Sequence, residues 1–261
     1  MAVEDKAVSK DERSFYDDLA SSYHLIFEDW DCAIERQGAI LSDLLPSPPE
    51  AGVVLDCACG IGTQSLALAR VGYTVEGTDL SGPAIERARR EAVRRGLEVV
   101  FRIDDMCKLA TSAVGRYGAV LALDNALPHL DNDKDVRKAL CAMRERLRPR
   151  GKLLASLRDY TPVLERRPSA TTPSLFLDEG RRRIVCQVWD WVDDRRYVLH
   201  LYITRHMPDG EWATDHFVGR YRAITPEEVA VLARQAGFRE VKVLQPADTG
   251  YHQPIVTGLV V

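Results

Sequence analysis
The chain has 261 residues, 46% hydrophobic and 28% charged, which is enough to bury a sizeable core and excludes a disordered, fibrous or disulfide-stapled protein. Lys and Arg total 35 against 39 Asp and Glu, a net charge of −4 with the two signs interspersed, which argues against a nucleic-acid-binding face. No run of about 18 apolar residues occurs and the charged N-terminus lacks a signal-peptide core, so a cytoplasmic protein with no membrane partner is expected.

Taken in chain order, residues up to about Ser14 are polar and expected to fray. Apolar positions at Leu19, Tyr23, Ile26, Phe27, Ile34, Ile40, Leu41, Leu44 and Leu45 predict a helical segment over 15–45, ended by Pro46-Ser47-Pro48-Pro49. Strands at 53–56, 74–78, 99–103, 119–123 and 151–157 then alternate with helices at 64–71, 82–95 and 133–147. Such alternation predicts a parallel sheet with helices on both faces. A Pro- and Ser-containing stretch leads into strand-like runs at 183–191, 196–206 and 212–222, with turn signals at Asp193-Asp194 and Pro208-Asp209-Gly210. The α/β pattern resumes with a capping box at Thr225-Pro226-Glu227-Glu228, and strands at 240–245 and 255–261 close the chain.

The predicted fold is therefore a Rossmann-like, mostly parallel seven-stranded α/β sheet with an N-terminal helical lid and an inserted antiparallel β unit. The expected divisions are a lid over 1–50, a nucleoside-binding domain over 51–160 and 224–261, and an insertion over 161–223. Six cysteines (Cys32, Cys57, Cys59, Cys107, Cys141 and Cys186) show neither disulfide nor zinc spacing, so they read as free, mostly buried thiols and no metal is expected.

The chemistry concentrates in Asp56-Cys57-Ala58-Cys59-Gly60-Ile61-Gly62, at the first strand-to-helix turn, where open α/β sheets bind nucleosides. A dinucleotide fingerprint would need a third glycine, but Thr63-Gln64-Ser65 follows. Asp56 at the strand tip would repel a pyrophosphate yet could organise a loop around a cation, which favours a sulfonium nucleoside bearing an amino acid. Asp79 ends the second strand and is suited to pair with ribose hydroxyls, with helix capping as its structural alternative. Asp105 and Met106 follow the third strand, placed to meet an adenine. Residues 123–129, after the fourth strand, would line the methionine end and the reaction centre.

These residues resemble the motifs of a class I S-adenosylmethionine-dependent methyltransferase, in the right order along most of the chain. Within that superfamily, Phe15-Tyr16-Asp17-Asp18-Leu19-Ala20, Glu28-Asp29-Trp30, Leu157-Arg158-Asp159-Tyr160 and Thr249-Gly250-Tyr251-His252-Gln253-Pro254 resemble the bacterial glycine/sarcosine N-methyltransferase group. The resemblance implies S-adenosylmethionine as cofactor, held by Asp56, Ala58, Gly60, Gly62, Asp79, Leu80, Asp105, Met106 and Leu123. It further implies that Tyr23 and Trp30 cover its methionine part and that Arg36 holds its carboxylate.

Methyl transfer from a sulfonium is an in-line displacement that needs alignment and a dry site rather than a covalent enzyme intermediate. His129 is the candidate acid or base, its ordinary pKa of about 6.5 suiting proton removal near neutrality, and capping of the next turn is its structural alternative. Arg158 suits a substrate carboxylate, with an ion pair to Asp159 as its alternative. Asn125, Tyr160, Tyr251 and Gln253 complete the expected catalytic and acceptor-binding set, while Trp189 and Trp191 read as packing residues. The expected partner is a small-molecule acceptor, most simply an amine of an amino acid or related metabolite, with self-association into a homo-oligomer left open. The alternatives are oxygen or carbon methylation of a larger metabolite, and a relative that binds the nucleoside without transferring methyl.

Overall fold
A computed structural model describes residues 12–178 and 180–261. Most of the stretch expected to fray lies outside the described residues, but residues 12–14 already belong to the first helix. In order the elements are α1 (Glu12–Leu19), a 3₁₀ turn (Tyr23–Ile26), α2 (Trp30–Leu44), α3 (Pro48–Ala51), β1 (Val53–Asp56), α4 (Thr63–Arg70), β2 (Thr74–Asp79), α5 (Gly82–Arg95), β3 (Val99–Ile103) and β4 (Tyr117–Ala122). After a second 3₁₀ turn (Leu127–His129) come α6 (Asp133–Arg146), β5 (Leu147–Ser156), α7 (Thr161–Arg166), β6 (Ser174–Asp178), β7 (Arg181–Trp191), β8 (Arg196–His206) and β9 (Trp212–Arg222). The chain ends with α8 (Pro226–Gln235), β10 (Arg239–Leu244), α9 (Pro246–Thr249) and β11 (Ile255–Leu259).

The main sheet has seven strands in the order β10-β11-β5-β4-β1-β2-β3. Strands β3, β2, β1, β4 and β5 pair in parallel, and β11 lies antiparallel between β5 and β10. Strand order reverses between β1 and β4, which places a ligand site at their carboxyl ends. Both faces of the sheet are covered, as β4 shows: Val120 and Ala122 join a core with Val136, Leu140 and Met143 of α6, while Ala119 and Leu121 join one with Leu41 of α2 and Leu68 of α4.

The N-terminal segment departs from the single helical run expected. Asp29 accepts from the Cys32 N–H through its side chain, and this N-cap starts α2 afresh after the 3₁₀ turn. The second sheet also has four strands rather than three, in the order β6-β7-β8-β9. Its extra strand, β6, lies in the Pro- and Ser-containing stretch that carried no alternating pattern of its own. On β8 the buried Tyr197, Leu199, Leu201 and Ile203 alternate with partly exposed Val198, His200, Tyr202 and Thr204, so only one face packs inward. Helix α1 lies against β9, where a Cβ on Gly219 would sit 3.1 Å from the Phe15 ring.

One side chain ties this sheet to the N-terminal segment. Arg183 of β7 is 3% exposed, bridges Asp178 of β6 at 2.6 and 2.8 Å, and donates to the carbonyls of Leu25, Phe27 (3.1 Å) and Glu28 (3.3 Å). The cysteines divide unevenly: Cys57 and Cys59 are buried as expected, whereas Cys32 and Cys141 are exposed because they lie on the outer faces of α2 and α6. Among the described residues no helix is long and apolar enough to cross a membrane.

Candidate active site
The loops after β1, β2, β3 and β4 line a cavity of about 890 Å³, its solvent-open mouth included. Its floor is the β1–α4 turn, held by backbone bonds from Cys57 to Leu121, from Cys59 to Thr78 and from Gly62 to Cys59. Asp79 fastens that turn to β2, since one carboxylate oxygen accepts from the Gly60 N–H (2.8 Å) and the other from Ser81 (2.9 Å). Asp104 shapes the opposite wall by accepting from the N–H groups of Asp105, Ala110 and Thr111 and from the Thr111 hydroxyl, which curls the loop so that Asp105 and Met106 line the cavity. The Asp105 carboxylate itself accepts from the Cys107 N–H (2.8 Å) and pairs with Lys108 (3.1 Å).

The two glycines of the turn do different work. Gly60 has φ +52 and faces open space, with nothing within 4 Å of where a Cβ would stand. Gly62 has φ +93 and faces inward, where a Cβ would meet Ala88 at 3.2 Å and Phe101 at 3.3 Å. Asp79, Asp104, Asp105 and Asp124 line the cavity, and among the described residues no Lys or Arg does. That donor set suits a nucleoside with cationic groups and opposes a pyrophosphate. With Gly60 open toward the cavity and Asp79 fixed at its edge, the residues present fit S-adenosylmethionine.

A second cavity of about 700 Å³ adjoins the first, and Tyr16, Tyr23 and Asp124 line both. Phe15, Leu19, Ile26 and Phe27 from the N-terminal segment and Leu199 and Leu201 of β8 form its apolar walls. Asn125, Arg158, Gln187, His252 and Gln253 form its polar side. Asp124 (φ +53) and Asn125 (φ +72) are consecutive left-handed non-glycine residues, a conformation that costs about 1–3 kcal/mol each; Asp124 lines both cavities, while the Asn125 amide donates to Tyr160 Oη (3.0 Å) and accepts from the Arg158 N–H (3.1 Å). The Asp124 carboxylate accepts from Tyr251 Oη (2.6 Å) and Gln64 Nε2 (2.6 Å) and lies 3.3 Å from His252 Nε2. Gln64 also donates to Gln37 of α2 (2.8 Å), which links the N-terminal helices to this carboxylate.

Behind the polar side stands an aromatic layer. The Arg158 guanidinium lies 4.5 Å from the Trp189 ring centroid and donates to Gln187 (3.3 Å), and among the described residues it pairs with no carboxylate. The Tyr197 ring stacks on Trp189 at 4.7 Å and on Tyr221 at 5.6 Å. His129 meets the Tyr16 hydroxyl at 2.7 Å through Nε2 and the Tyr221 ring at 4.1 Å. Burial lowers the His129 pKa to about 4, so the ordinary value that made it a base at neutral pH does not hold in this site.

The residues singled out from sequence therefore fall into three groups. Tyr23, Ala58, Gly60, Asp79, Leu80, Asp105, Met106, Leu123 and His129 line the first cavity, and Asn125, Arg158 and Gln253 line the second. Tyr160 and Tyr251 stand behind the walls, since Tyr160 is fully buried with its hydroxyl between Asn125 (3.0 Å) and Tyr197 (2.9 Å), and Tyr251 serves Asp124. Asp56, Trp30, Gly62 and Arg36 line neither cavity. Asp56 is fully buried against the Ser65 hydroxyl (2.7 Å), Trp30 donates to Thr63 on the wall (2.9 Å), and Arg36 is exposed beside the inward-facing Gln37. Tyr16, Gln64, Gln187 and Tyr221 carried no assigned role in the sequence. Asp124 lies within the 123–129 segment expected at the methionine end and the reaction centre, and an Asp-Asn pair soon after an apolar strand is a residue choice that admits left-handed backbone.

The strand order and the acid-lined cavity at the switch point define a nucleoside-binding α/β enzyme. Residues 54–151 match the sequence profile of a methyltransferase domain. The chain is 31% identical over 230 residues to the putative methyltransferase YqeM of Bacillus subtilis, covering 87% of this chain and 84% of that one. It is 30% identical over 152 residues to a glycine/sarcosine N-methyltransferase of Halorhodospira halochloris, an alignment that spans 58% of this chain and just over half, 56%, of that relative. In fold it is similar to SAM-bound CalS10, an amino pentose methyltransferase from Micromonospora echinaspora, with a TM-score of 0.73 at 22% identity over 92% of this chain and 95% of that one. The chain belongs to the S-adenosylmethionine-dependent methyltransferases, and S-adenosylmethionine is its cofactor.

Proposed function
We propose that the chain transfers a methyl group to the amine nitrogen of a small metabolite held in the second cavity, with the nucleoside in the first. The observation that carries this reading is Asp124, which lines both cavities with a carboxylate fixed by Tyr251 and Gln64. An amine drawn to that carboxylate lies next to the cofactor cavity, and Arg158 on the same polar side suits an anionic group of the acceptor. Bound S-adenosylmethionine supplies a methyl group on a sulfonium centre. What the chain's own residues supply is orientation and the exclusion of water by Tyr16, Tyr23 and the apolar walls.

The first cavity holds the nucleoside through Asp79, Gly60 and the Asp105-Met106 corner. His129 and Tyr16 form a neutral hydrogen-bonded pair on its wall, because burial keeps the imidazole uncharged and pushes the Tyr16 phenol well above its ordinary value. With neither member of that pair charged, the acceptor binds as the neutral amine after leaving its proton in solvent, donates an N–H to the Asp124 carboxylate, and attacks with its free lone pair while that carboxylate faces the positive charge building on nitrogen. The apolar walls of the second cavity favour an acceptor with carbon surface beyond that of glycine, such as a bulkier amino acid or an amino sugar, in keeping with the acceptors named for a similar glycine/sarcosine N-methyltransferase and a similar amino pentose methyltransferase. The test is release of S-adenosylhomocysteine with a panel of amino acids, amino sugars, phenols and alcohols. Amines that also carry an anionic group are expected to turn over best, and turnover of phenols with none of the amines would move the acceptor atom to oxygen and overturn the reading.

A further inference from the structure
The two cavities belong to a row of three hollows. Arg158, His252 and Gln253 of the acceptor cavity also line an outer cleft completed by Asp159, Gln245, Pro246 and Pro254, which shares no lining residue with the cofactor cavity. Asp159 and Gln245 are exposed, so this cleft faces solvent. The cofactor cavity reaches its own surface elsewhere, where Leu80 at the end of β2 is 42% exposed. We infer that the acceptor enters and its methylated product leaves through the outer cleft, with the His252 side chain as the gate.

His252 has the placement a gate requires. Its ring packs on Tyr251 at 4.6 Å and its Nε2 reaches toward Asp124 across 3.3 Å, yet its side chain is 48% exposed and has solvent to swing into. Asp124 keeps its shorter bonds to Tyr251 and Gln64 when that contact opens, so the carboxylate stays in position for the incoming group. The rest of the rim is held. Pro246 and Pro254 fix the backbone at two points, and the Gln253 side chain accepts from Ser156 (3.1 Å). Arg158 stands in both hollows, so it attracts an anionic group at the cleft and still contacts it inside. The consequence is that acceptor and nucleoside exchange independently, each from its own opening.

The inference rests on the second cavity being the acceptor's site, but its test needs no turnover. Gln187→Cys places a thiol on the acceptor cavity, and the full chain saturated with S-adenosylhomocysteine is exposed to 2-aminoethyl methanethiosulfonate. The variant is made in a Cys186→Ser background, so that peptide mass spectrometry at position 187 separates this reaction from that of the neighbouring thiol and of the exposed Cys32 and Cys141. Adding Asp159→Trp, or separately Pro246→Trp, is expected to slow labelling about tenfold with nucleoside affinity unchanged, and His252→Ala to speed it. A labelling rate moved by neither tryptophan in a folded protein overturns the inference. So does labelling that S-adenosylhomocysteine alone abolishes, which would put the route through the nucleoside's opening. The underlying reading fails in a different way, through Arg158→Ala leaving every acceptor's KM unchanged.

Discussion
The two cavities meet at three residues but are built by different means. The cofactor cavity is made chiefly by the loops that follow β1, β2, β3 and β4, with backbone N–H groups fastened to Asp79 and Asp104. The acceptor cavity is made by side chains from α1, the β4 loop, the end of β5, β7, β8, β9 and the approach to β11. Recognition of the nucleoside is therefore local in the chain and written in short motifs. Recognition of the acceptor exists only after two sheets and the N-terminal helices have packed together, which is how one fold accommodates different acceptors.

Removing Asp79 breaks that comparison most directly. Asp79→Ala takes the acceptor from two backbone N–H groups at the cavity edge, along with any charge-assisted bonds to the nucleoside. S-adenosylhomocysteine affinity measured by calorimetry is expected to fall by about 1.5–3 kcal/mol while the acceptor's KM stays within error. Equal losses on both sides would show that the cavities do not divide the work.

The paired glycines separate binding from stability within the cofactor half. Both alanine substitutions incur the left-handed backbone cost of about 1–2 kcal/mol. Gly62→Ala adds overpacking against Ala88 and Phe101, worth about 1–3 kcal/mol, and is expected to lower the denaturation midpoint more. Gly60→Ala is expected to reduce nucleoside affinity, because its methyl group would stand in the open space of the cavity. Urea melts beside calorimetry would reveal a reversed pattern. For the acceptor half, Arg158→Ala is expected to raise the acceptor's KM about tenfold without changing nucleoside affinity, since among the described residues the guanidinium pairs with no carboxylate and is seated on Trp189.

What could be read from the sequence follows the same division. Strands β1 to β5 and the turns after them announce themselves through apolar runs, the Gly60-Ile61-Gly62 turn and acids at strand ends, because those features are enforced within a few residues of chain. Tyr16, Gln64 and Gln187 were not legible as site residues, since only tertiary packing brings them to Asp124, His129 and Arg158. Tyr160 misled for a related reason: a tyrosine after a strand end looks like a cavity residue, and its burial behind Asn125 depends on Tyr197 in another sheet. Strand β6 escaped because Ser174 to Asp178 show no alternation of apolar and polar residues and are held by pairing with β7.

Asp56 tests the comparison most finely, since it lies in the legible half yet beneath the cavity rather than on it. Burial raises its pKa from 3.8 to about 7 despite the Ser65 hydrogen bond. Between those values the folded chain keeps a proton that the unfolded chain has released, so this residue's contribution to stability declines as pH rises, by at most about 1.4 kcal/mol per pH unit. His24 and His129 act in the opposite sense. Each is held neutral by burial with a pKa of about 4 against 6.5 ordinarily, so the unfolded chain binds the extra protons and stability declines as pH falls through that window. Because the terms oppose, the wild-type profile alone cannot isolate Asp56, whereas the difference between Asp56→Asn and wild type does. That difference is expected to shift in favour of the variant as pH rises from about 4 to about 7 and to level off above, in urea melts across the range. Parallel profiles would mean that Asp56 ionises normally, and a large accompanying loss of nucleoside affinity would return it to the ligand-facing role suggested by its place at the strand tip.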